Sequence, residues 1–144
     1  MKSAILELCD HHEITHDTHC ETLAEDVSRL ATLYAGNMSV DRVNLRFDVV
    51  NNNACRKFHQ DNVAARLLCT YRGRGTQYGE ITMGPDPDEI HELSTGEIAL
   101  FRGRLFPGAV ASNVYHRSPP IEGSGETRLL LVIDNAVCED DCCI

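Results

Sequence analysis

The sequence predicts a mainly β protein, folded as a double-stranded β-helix (a jelly roll) that follows one N-terminal helical segment. Two observations predict this fold class. The hydrophobic pattern changes near residue 41 from helical spacing to an alternation of apolar and polar residues. Beyond that point, short apolar segments are separated by turns that contain glycine, proline and asparagine. The length of 144 residues suits a single domain.

The N-terminal segment, residues 1–40, is predicted to be helical. Thr22 and Glu25 have the spacing of a capping box at the start of a helix. Four apolar residues then follow at helical spacing: Val27, Leu30, Ala31 and Tyr34. Gly36 and Asn37 are typical of a helix end.

The next segment is predicted to contain the strands of the core. In residues 43–49, apolar side chains alternate with polar ones, as in a half-buried strand. Further strands are predicted at residues 64–72, 81–83, 97–105, 114–116 and 128–134. We therefore expect one domain over residues 1–144, with a helical segment at 1–40, a β-helix core at 42–135 and a Cys-rich acidic tail at 136–144.

Composition narrows the range of partners. A net charge of −9 argues against nucleic acid, because phosphate contacts need a basic surface. No apolar run approaches the ~20 residues that a membrane-spanning helix needs, and residues 1–8 lack the apolar region of a signal peptide. We therefore expect a cytoplasmic protein without a membrane partner, and its oligomeric state is not predicted.

Three residues predict a metal site. His59 and Asp61 are separated by one residue, so on an extended backbone their side chains point to the same face. His116 follows in a later strand, which a jelly roll can bring opposite the first pair. Two imidazoles and one carboxylate form the facial triad of non-haem Fe(II) oxygenases. We therefore predict His59, Asp61 and His116 as ligands of Fe(II).

Arg128 is predicted to bind a second cofactor. A His-x-Asp pair, a distant His and then an Arg is the order of functional residues in Fe(II)/2-oxoglutarate oxygenases, and Arg128 opens the last predicted strand after His116. The planar guanidinium fork of arginine binds a carboxylate through two hydrogen bonds, which lysine does not do. We therefore expect Arg128 to bind 2-oxoglutarate; the alternative is a surface or strand-pairing arginine.

These residues predict a metal-dependent oxygenase that acts on a small molecule or a peptidyl side chain. Two alternatives stay open. One is a cupin-like Fe(II) dioxygenase that does not use 2-oxoglutarate. The other is a non-enzymatic metal-binding or metal-handling protein, in which the Cys- and His-rich ends matter more than the β core. For the triad itself, the alternative is a loop His59, a turn Asp61 and a core histidine at His116.

The chain has seven cysteines, an odd number that argues against a disulfide framework. Cys69 lies in an apolar run and is expected to be buried. Other soft ligands cluster near the two ends, at Cys9, His11, His12, His16, His19 and Cys20, and at Cys138, Cys142 and Cys143. Their spacing matches no standard zinc module, so we favour polar terminal segments over a zinc site.

A separate acidic cluster lies between the predicted strands. It contains Asp86, Asp88, Glu89, His91 and Glu92 around two prolines. We interpret it as a solvated loop; the alternative is a lid beside the active site.

Five segments carry a family resemblance: residues 55–63, 66–76, 99–103, 106–108 and 114–119. They resemble the bacterial family known as DUF1826. The resemblance covers roughly residues 43–134 and leaves the Cys- and His-rich ends outside. It implies one coherent fold for this region, and it implies no established reaction.

Overall fold

The structure is a computed structural model that describes residues 3, 6, 7, 18–108 and 110–136. The chain divides into two compact units, Met1–Asp41 and Arg42–Ile144. Most of the N-terminal cysteines and histidines weighed as zinc ligands, and the whole Cys-rich tail beyond residue 136, lie outside the described residues. Within the described part of the chain, no helix is long and apolar enough to cross a membrane.

The first unit contains a helix, α1, over Thr18–Met38. Its apolar residues at helical spacing are buried: Ala24, Val27, Leu30, Ala31 and Tyr34. The predicted capping box is wrong, because Thr22 lies inside the helix and its hydroxyl donates to the carbonyl oxygen of Thr18 at 2.7 Å. A threonine hydroxyl can bond to the preceding turn as well as cap a helix, so the motif alone does not mark the start.

The end of α1 also differs from the prediction. The helix continues through Gly36, because one interior glycine costs only about 1 kcal/mol relative to alanine. It ends at Met38, and Ser39 then adopts a left-handed conformation with φ of 53°. The amide of Val40 donates to the carbonyl oxygen of Ala35 at 3.1 Å, which satisfies one carbonyl of the last turn.

The second unit has seven strands within the residues that are described. In chain order they are β1 (Val43–Val50), β2 (Ala65–Arg72), β3 (Gln77–Glu80), β4 (His91–Glu92), β5 (Ile98–Arg102), β6 (Val114–Arg117) and β7 (Arg128–Asn135). They form a four-stranded sheet in the order β1-β7-β2-β5 and a three-stranded sheet in the order β4-β3-β6. All strand pairs are antiparallel.

The two sheets face each other across an apolar core. Leu68, Phe101, Leu130 and Val132 of the four-stranded sheet form a buried cluster. Tyr78 and Val114 of the three-stranded sheet pack against it. Because side chains alternate along a strand, Arg128 and Asp134 point to the same inner face of β7 as Leu130 and Val132. The predicted mainly β fold with a helix before it is confirmed.

The prediction of a strand at residues 81–83 is wrong. The strand lies at Gln77–Glu80 instead, and residues 81–83 belong to a loop. Two residues of the predicted acidic loop, His91 and Glu92, form β4 and pair with β3. Gly79 lies so close to the backbone of Glu89 that a Cβ atom there has no room. This glycine interrupts the apolar alternation by which the sequence would have marked the strand.

Candidate metal centre

His59 and His116 are brought together by backbone pairing. The amide of each residue donates to the carbonyl oxygen of the other, both at 3.0 Å, although His59 lies outside the named strands. His116 belongs to β6 and pairs on its other side with Tyr78 of β3. One donor atom from each of His59, Asp61 and His116 lies within 4.8 Å of the other two. The structure thus gathers the three predicted ligands around one point.

The Asp61 carboxylate has one engaged oxygen and one free oxygen. Arg66 Nη1 donates to Oδ1 at 2.5 Å. Oδ2 is buried and has no hydrogen-bond partner among the residues that the structure describes. It lies 3.1 Å from Nε2 of His116. Adjacent ligands of an octahedral ion with bonds of about 2.1 Å are about 3 Å apart, so the pair fits a shared divalent cation.

Both imidazoles are oriented by their neighbours. Nδ1–H of His59 donates to the carbonyl oxygen of Lys57 at 2.8 Å. That bond leaves the lone pair on Nε2, which lies 3.7 Å from Asp61 Oδ1. The ring of His116 stacks on Phe101, with centroids 4.5 Å apart and planes 22° apart. The two histidine rings are themselves 4.6 Å apart, with their planes tilted by 53°.

The charges at the site favour an ionised carboxylate. Burial raises the pKa of Asp61, but the imidazoles of His116 and His59 and the guanidinium of Arg66 outweigh it. The resulting pKa of Asp61 is well below its usual range. The neighbouring Asp61 carboxylate in turn raises the pKa of His59, against the opposing effect of burial. At neutral pH the site therefore offers an anionic oxygen, and a divalent cation competes there with protons on the imidazoles.

Arg66 is the residue that the sequence interpretation missed. Its Nε and Nη2 donate to Asp134 Oδ2 at 3.1 and 2.7 Å, while Nη1 reaches Asp61. Arg66 and Asp134 are register partners in the pairing of β2 with β7. The sequence signal that could have identified this pair was a charged residue, Arg66 or Asp134, within each of two largely apolar strands. Their partnership depends on strand register, which local sequence does not specify.

Arg128 lies fully buried, with an exposed fraction of 0%. Its Nε donates to the carbonyl oxygen of Arg74 at 2.7 Å, and Nη2 lies 3.4 Å from the hydroxyls of Thr70 and Thr76. In the described part of the chain, Nη1 has no hydrogen-bond partner. Burial lowers the pKa of Arg128. The alternative of a surface arginine is therefore wrong.

A cavity of about 120 Å³ lies between the sheets at this site. All three predicted metal ligands line it, together with Arg66 and Thr76. Thr76 also contacts Arg128, so one side chain links the cavity wall to the buried guanidinium. The cavity is polar at its ligand side and apolar where Leu130 and other core residues line it.

The other candidate sites from the sequence are the N-terminal His and Cys residues and the acidic loop, and the structure gives them less support. Of the N-terminal candidates, His19 and Cys20 lie in α1, and the rest fall outside the described residues. Within the described ranges, His59, Asp61 and His116 are the one group of three potential ligands with metal-site spacing. Asp88, Glu89 and His91 of the acidic loop line a different cavity, of about 350 Å³. Cys69 is buried, as predicted.

Two solved structures are similar to this chain: the crystal structure of Fe(II) HppE and that of Fe(II) HppE in complex with substrate. Both have a TM-score of 0.42, with 15% and 14% sequence identity. The matches cover 64% and 67% of this chain, and 42% and 47% of the solved chains. This chain therefore spans less than half the length of either structure. No curated relative matches it.

The sequence also matches the family described as a protein of unknown function, DUF1826, over residues 2–134. The match begins well before residue 43, where we expected the resemblance to start. The expectation that the His- and Cys-rich N-terminal segment lies outside the family is therefore wrong, whereas residues 138–143 do lie beyond the match. The chain belongs to the DUF1826 family of proteins of unknown function.

Proposed function

We propose that this protein is a metal-dependent oxygenase that binds one Fe(II) through His59, Asp61 and His116. In this proposal it uses 2-oxoglutarate and acts on a small molecule or a peptidyl side chain. The observation that carries the proposal is the buried Asp61 Oδ2, which has no hydrogen-bond partner among the described residues and lies 3.1 Å from His116 Nε2. A buried carboxylate oxygen without a partner is costly unless a cation binds it.

The strand order supports a double-stranded β-helix for the core. One sheet has four strands, and the other has three strands plus the backbone bridge between His59 and His116. If the segment at His59 is counted with the second sheet, eight extended segments form two four-membered sheets, as in a jelly roll. The predicted ligands then lie on two neighbouring segments of one sheet and face the space between the sheets.

The donor set supports Fe(II). Two imidazoles and one carboxylate occupy one face of an octahedral ion and leave the opposite positions open for other ligands. A bound Fe(II) supplies the one-electron chemistry with O2 that amino-acid side chains lack. The protein's own contribution is to orient the Nε2 atoms of both histidines and to keep Asp61 ionised.

Arg128 supports the use of a dicarboxylate such as 2-oxoglutarate. Within the described residues no carboxylate lies at ion-pair distance from its guanidinium, and Nη1 is free. A buried cation without a counter-ion is unfavourable, and a bound carboxylate would compensate it. The hydroxyls of Thr70 and Thr76 lie beside the same guanidinium and can hydrogen-bond to that carboxylate. Thr76 connects this position to the cavity of about 120 Å³, a space suited to a small ligand.

The test is to mix the protein with Fe(II) and 2-oxoglutarate without air. We expect a visible charge-transfer band in the wild type and none in His116→Ala. Arg128→Lys should keep Fe(II) binding and weaken 2-oxoglutarate binding by about 2–5 kcal/mol, because a buried paired contact is lost. Arg74→Lys is the matched control, since the side chain of Arg74 pairs with Glu92 instead.

Three other outcomes are informative. Fe(II) binding without any binding of 2-oxoglutarate would favour the cupin-like dioxygenase, with Arg128 reassigned to the substrate or to the fold. Failure of Fe(II) to bind would remove the oxygenase proposal. Metal that is lost when Cys138, Cys142 and Cys143 are removed would favour a metal-handling protein.

A further inference from the structure

Arg66 connects two carboxylates that come from different parts of the chain. Asp134 lies on the neighbouring strand β7 and accepts two hydrogen bonds from Arg66, both on Oδ2. The remaining Nη1 is thereby directed at Asp61 Oδ1. All three side chains are largely removed from solvent, with exposed fractions of 19% for Arg66, 11% for Asp61 and 8% for Asp134.

The two carboxylate oxygens of Asp61 therefore have different neighbours. Oδ1 accepts from Arg66, so it is not available as a second metal-binding oxygen without breaking that bond. Oδ2 faces His116 Nε2. We propose that Arg66, held by Asp134, is a positioning residue that fixes Asp61 as a one-oxygen ligand of the metal. This inference rests on the proposed function of the same site.

The carboxylate of Asp134 offsets the positive charge that Arg66 places beside the proposed metal ion. A guanidinium next to a divalent cation repels it, and this repulsion would weaken metal binding. Asp134 lies 2.7 Å from Arg66 Nη2 and offsets that charge. Arg46 also approaches Asp134, at 4.0 Å, but its side chain is 52% exposed and its charge is screened by solvent. Arg66 therefore orients Asp61 while adding little net positive charge.

A different role for Arg66 is purely structural. A buried ion pair between neighbouring strands contributes to register and stability whether or not a metal binds. The two roles differ in what they change. A structural pair alters the stability of the metal-free protein, whereas a positioning residue also alters metal affinity and the coordination of the ion. Partners that orient metal ligands typically contribute about 10- to 100-fold to affinity.

The experiment is a titration with Co(II), whose visible bands report its coordination. Arg66→Met should bind Co(II) about 10- to 100-fold more weakly than the wild type, with altered bands. Asp134→Asn should weaken binding as well, because it leaves the charge of Arg66 uncompensated. The double variant should bind no more weakly than Arg66→Met, since the two residues act as one unit. Arg66→Lys should restore part of the affinity, and Arg74→Met, the control, should match the wild type.

Unchanged Co(II) affinity and bands in Arg66→Met, with only a lower melting temperature of the metal-free protein, would overturn the inference and leave the metal site in place. If Arg66→Met does not fold, the double variant decides, because it removes both charges of the Arg66–Asp134 pair. Wild-type affinity in the double variant would then overturn the inference. A wild type that binds neither Co(II) nor Fe(II) would overturn the metal site itself.

Discussion

Two arginines on the inner side of the β unit have opposite surroundings. Arg66 contacts the carboxylates of Asp61 and Asp134, at 2.5 and 2.7 Å. Arg128 is more deeply buried and donates only to uncharged groups, namely the carbonyl oxygen of Arg74 and the threonine hydroxyls, among the residues described. Both are arginines in strands with apolar neighbours, so their sequence contexts are similar. Their different surroundings result only from the way the strands pair.

The difference indicates different roles. The charge of Arg66 is compensated within the chain, so its removal leaves a buried carboxylate alone. Among the described residues no carboxylate forms an ion pair with Arg128; Glu92 acts on it from a longer distance, and burial outweighs that effect and lowers the pKa of Arg128. A buried cation in this state is a cost to the folded protein that an anionic ligand relieves. Arg66 thus belongs to the support of the site, and we propose that Arg128 binds a ligand.

The largest expected effect is on the stability of the metal-free protein. Arg66→Met leaves Asp134 buried without its main partner, which should lower the free energy of unfolding by about 3–5 kcal/mol. Urea unfolding followed by circular dichroism measures it. Combining this change with Asp134→Asn should recover part of the loss, because Asp61 still lacks Arg66. A loss of stability below about 1 kcal/mol would show that the pair is effectively solvated.

The next effect tests whether Arg128 binds an anion. With Fe(II) present and air excluded, 2-oxoglutarate at 100 times its Kd should raise the free energy of unfolding by about 2.7 kcal/mol. The rise should vanish in Arg128→Met and persist in Arg66→Lys at saturating metal. Thermal unfolding with and without 2-oxoglutarate measures it. An equal rise in Arg128→Met would mean that the dicarboxylate binds elsewhere.

A smaller effect concerns Arg74, whose exposed side chain pairs with Glu92 at 2.6 Å. Arg74→Met should cost about 0.2–1 kcal/mol at neutral pH, as for other exposed pairs. Arg74 lowers the pKa of Glu92 below its ordinary value of 4.5. The pair's contribution should therefore be present above pH 4.5 and be lost as the pH falls through the lowered pKa of Glu92. An unfolding free energy difference that persists in strong acid would contradict this assignment.

The smallest effect is expected for Arg128→Met without ligand. The variant loses the hydrogen bond to the carbonyl oxygen of Arg74, but it also removes a buried charge that lacks a direct ion-pair partner among the described residues. These contributions oppose each other, so the free energy of unfolding should change by less than about 1 kcal/mol. Urea unfolding of the ligand-free protein measures it. A loss as large as that of Arg66→Met would show that Arg128 is a structural residue.

The sequence predicted the parts of this protein that depend on local pattern. The change of hydrophobic period placed the helix and most strands, and the His-x-Asp spacing identified two residues that share a face. The strand at Gln77–Glu80 was not predicted, because Gly79 interrupts its apolar alternation. Strand β4 was not predicted, because it has only two residues. These short strands are specified by their partners.

The contacts that Arg66 and Asp134 make beside the metal site could not be predicted from the sequence for a similar reason. Arg66 and Asp134 lie far apart in the chain and meet because β2 and β7 pair in one register. A shift of β2 by one residue relative to β7 would point Arg66 to the face of the sheet opposite to Asp134. The role of Arg128 in binding a cofactor stays a prediction from its place after His116, and its complete burial emerges only from the assembled sheets.

The most direct test of the central claim is an anaerobic Fe(II) titration of the wild type, His59→Ala and His116→Ala, with circular dichroism of each. The account predicts one Fe(II) per chain in the wild type, loss of stoichiometric binding in both variants, and an unchanged fold. Full retention of Fe(II) in both variants would contradict the site. Unfolding of His116→Ala would instead identify His116 as a core histidine.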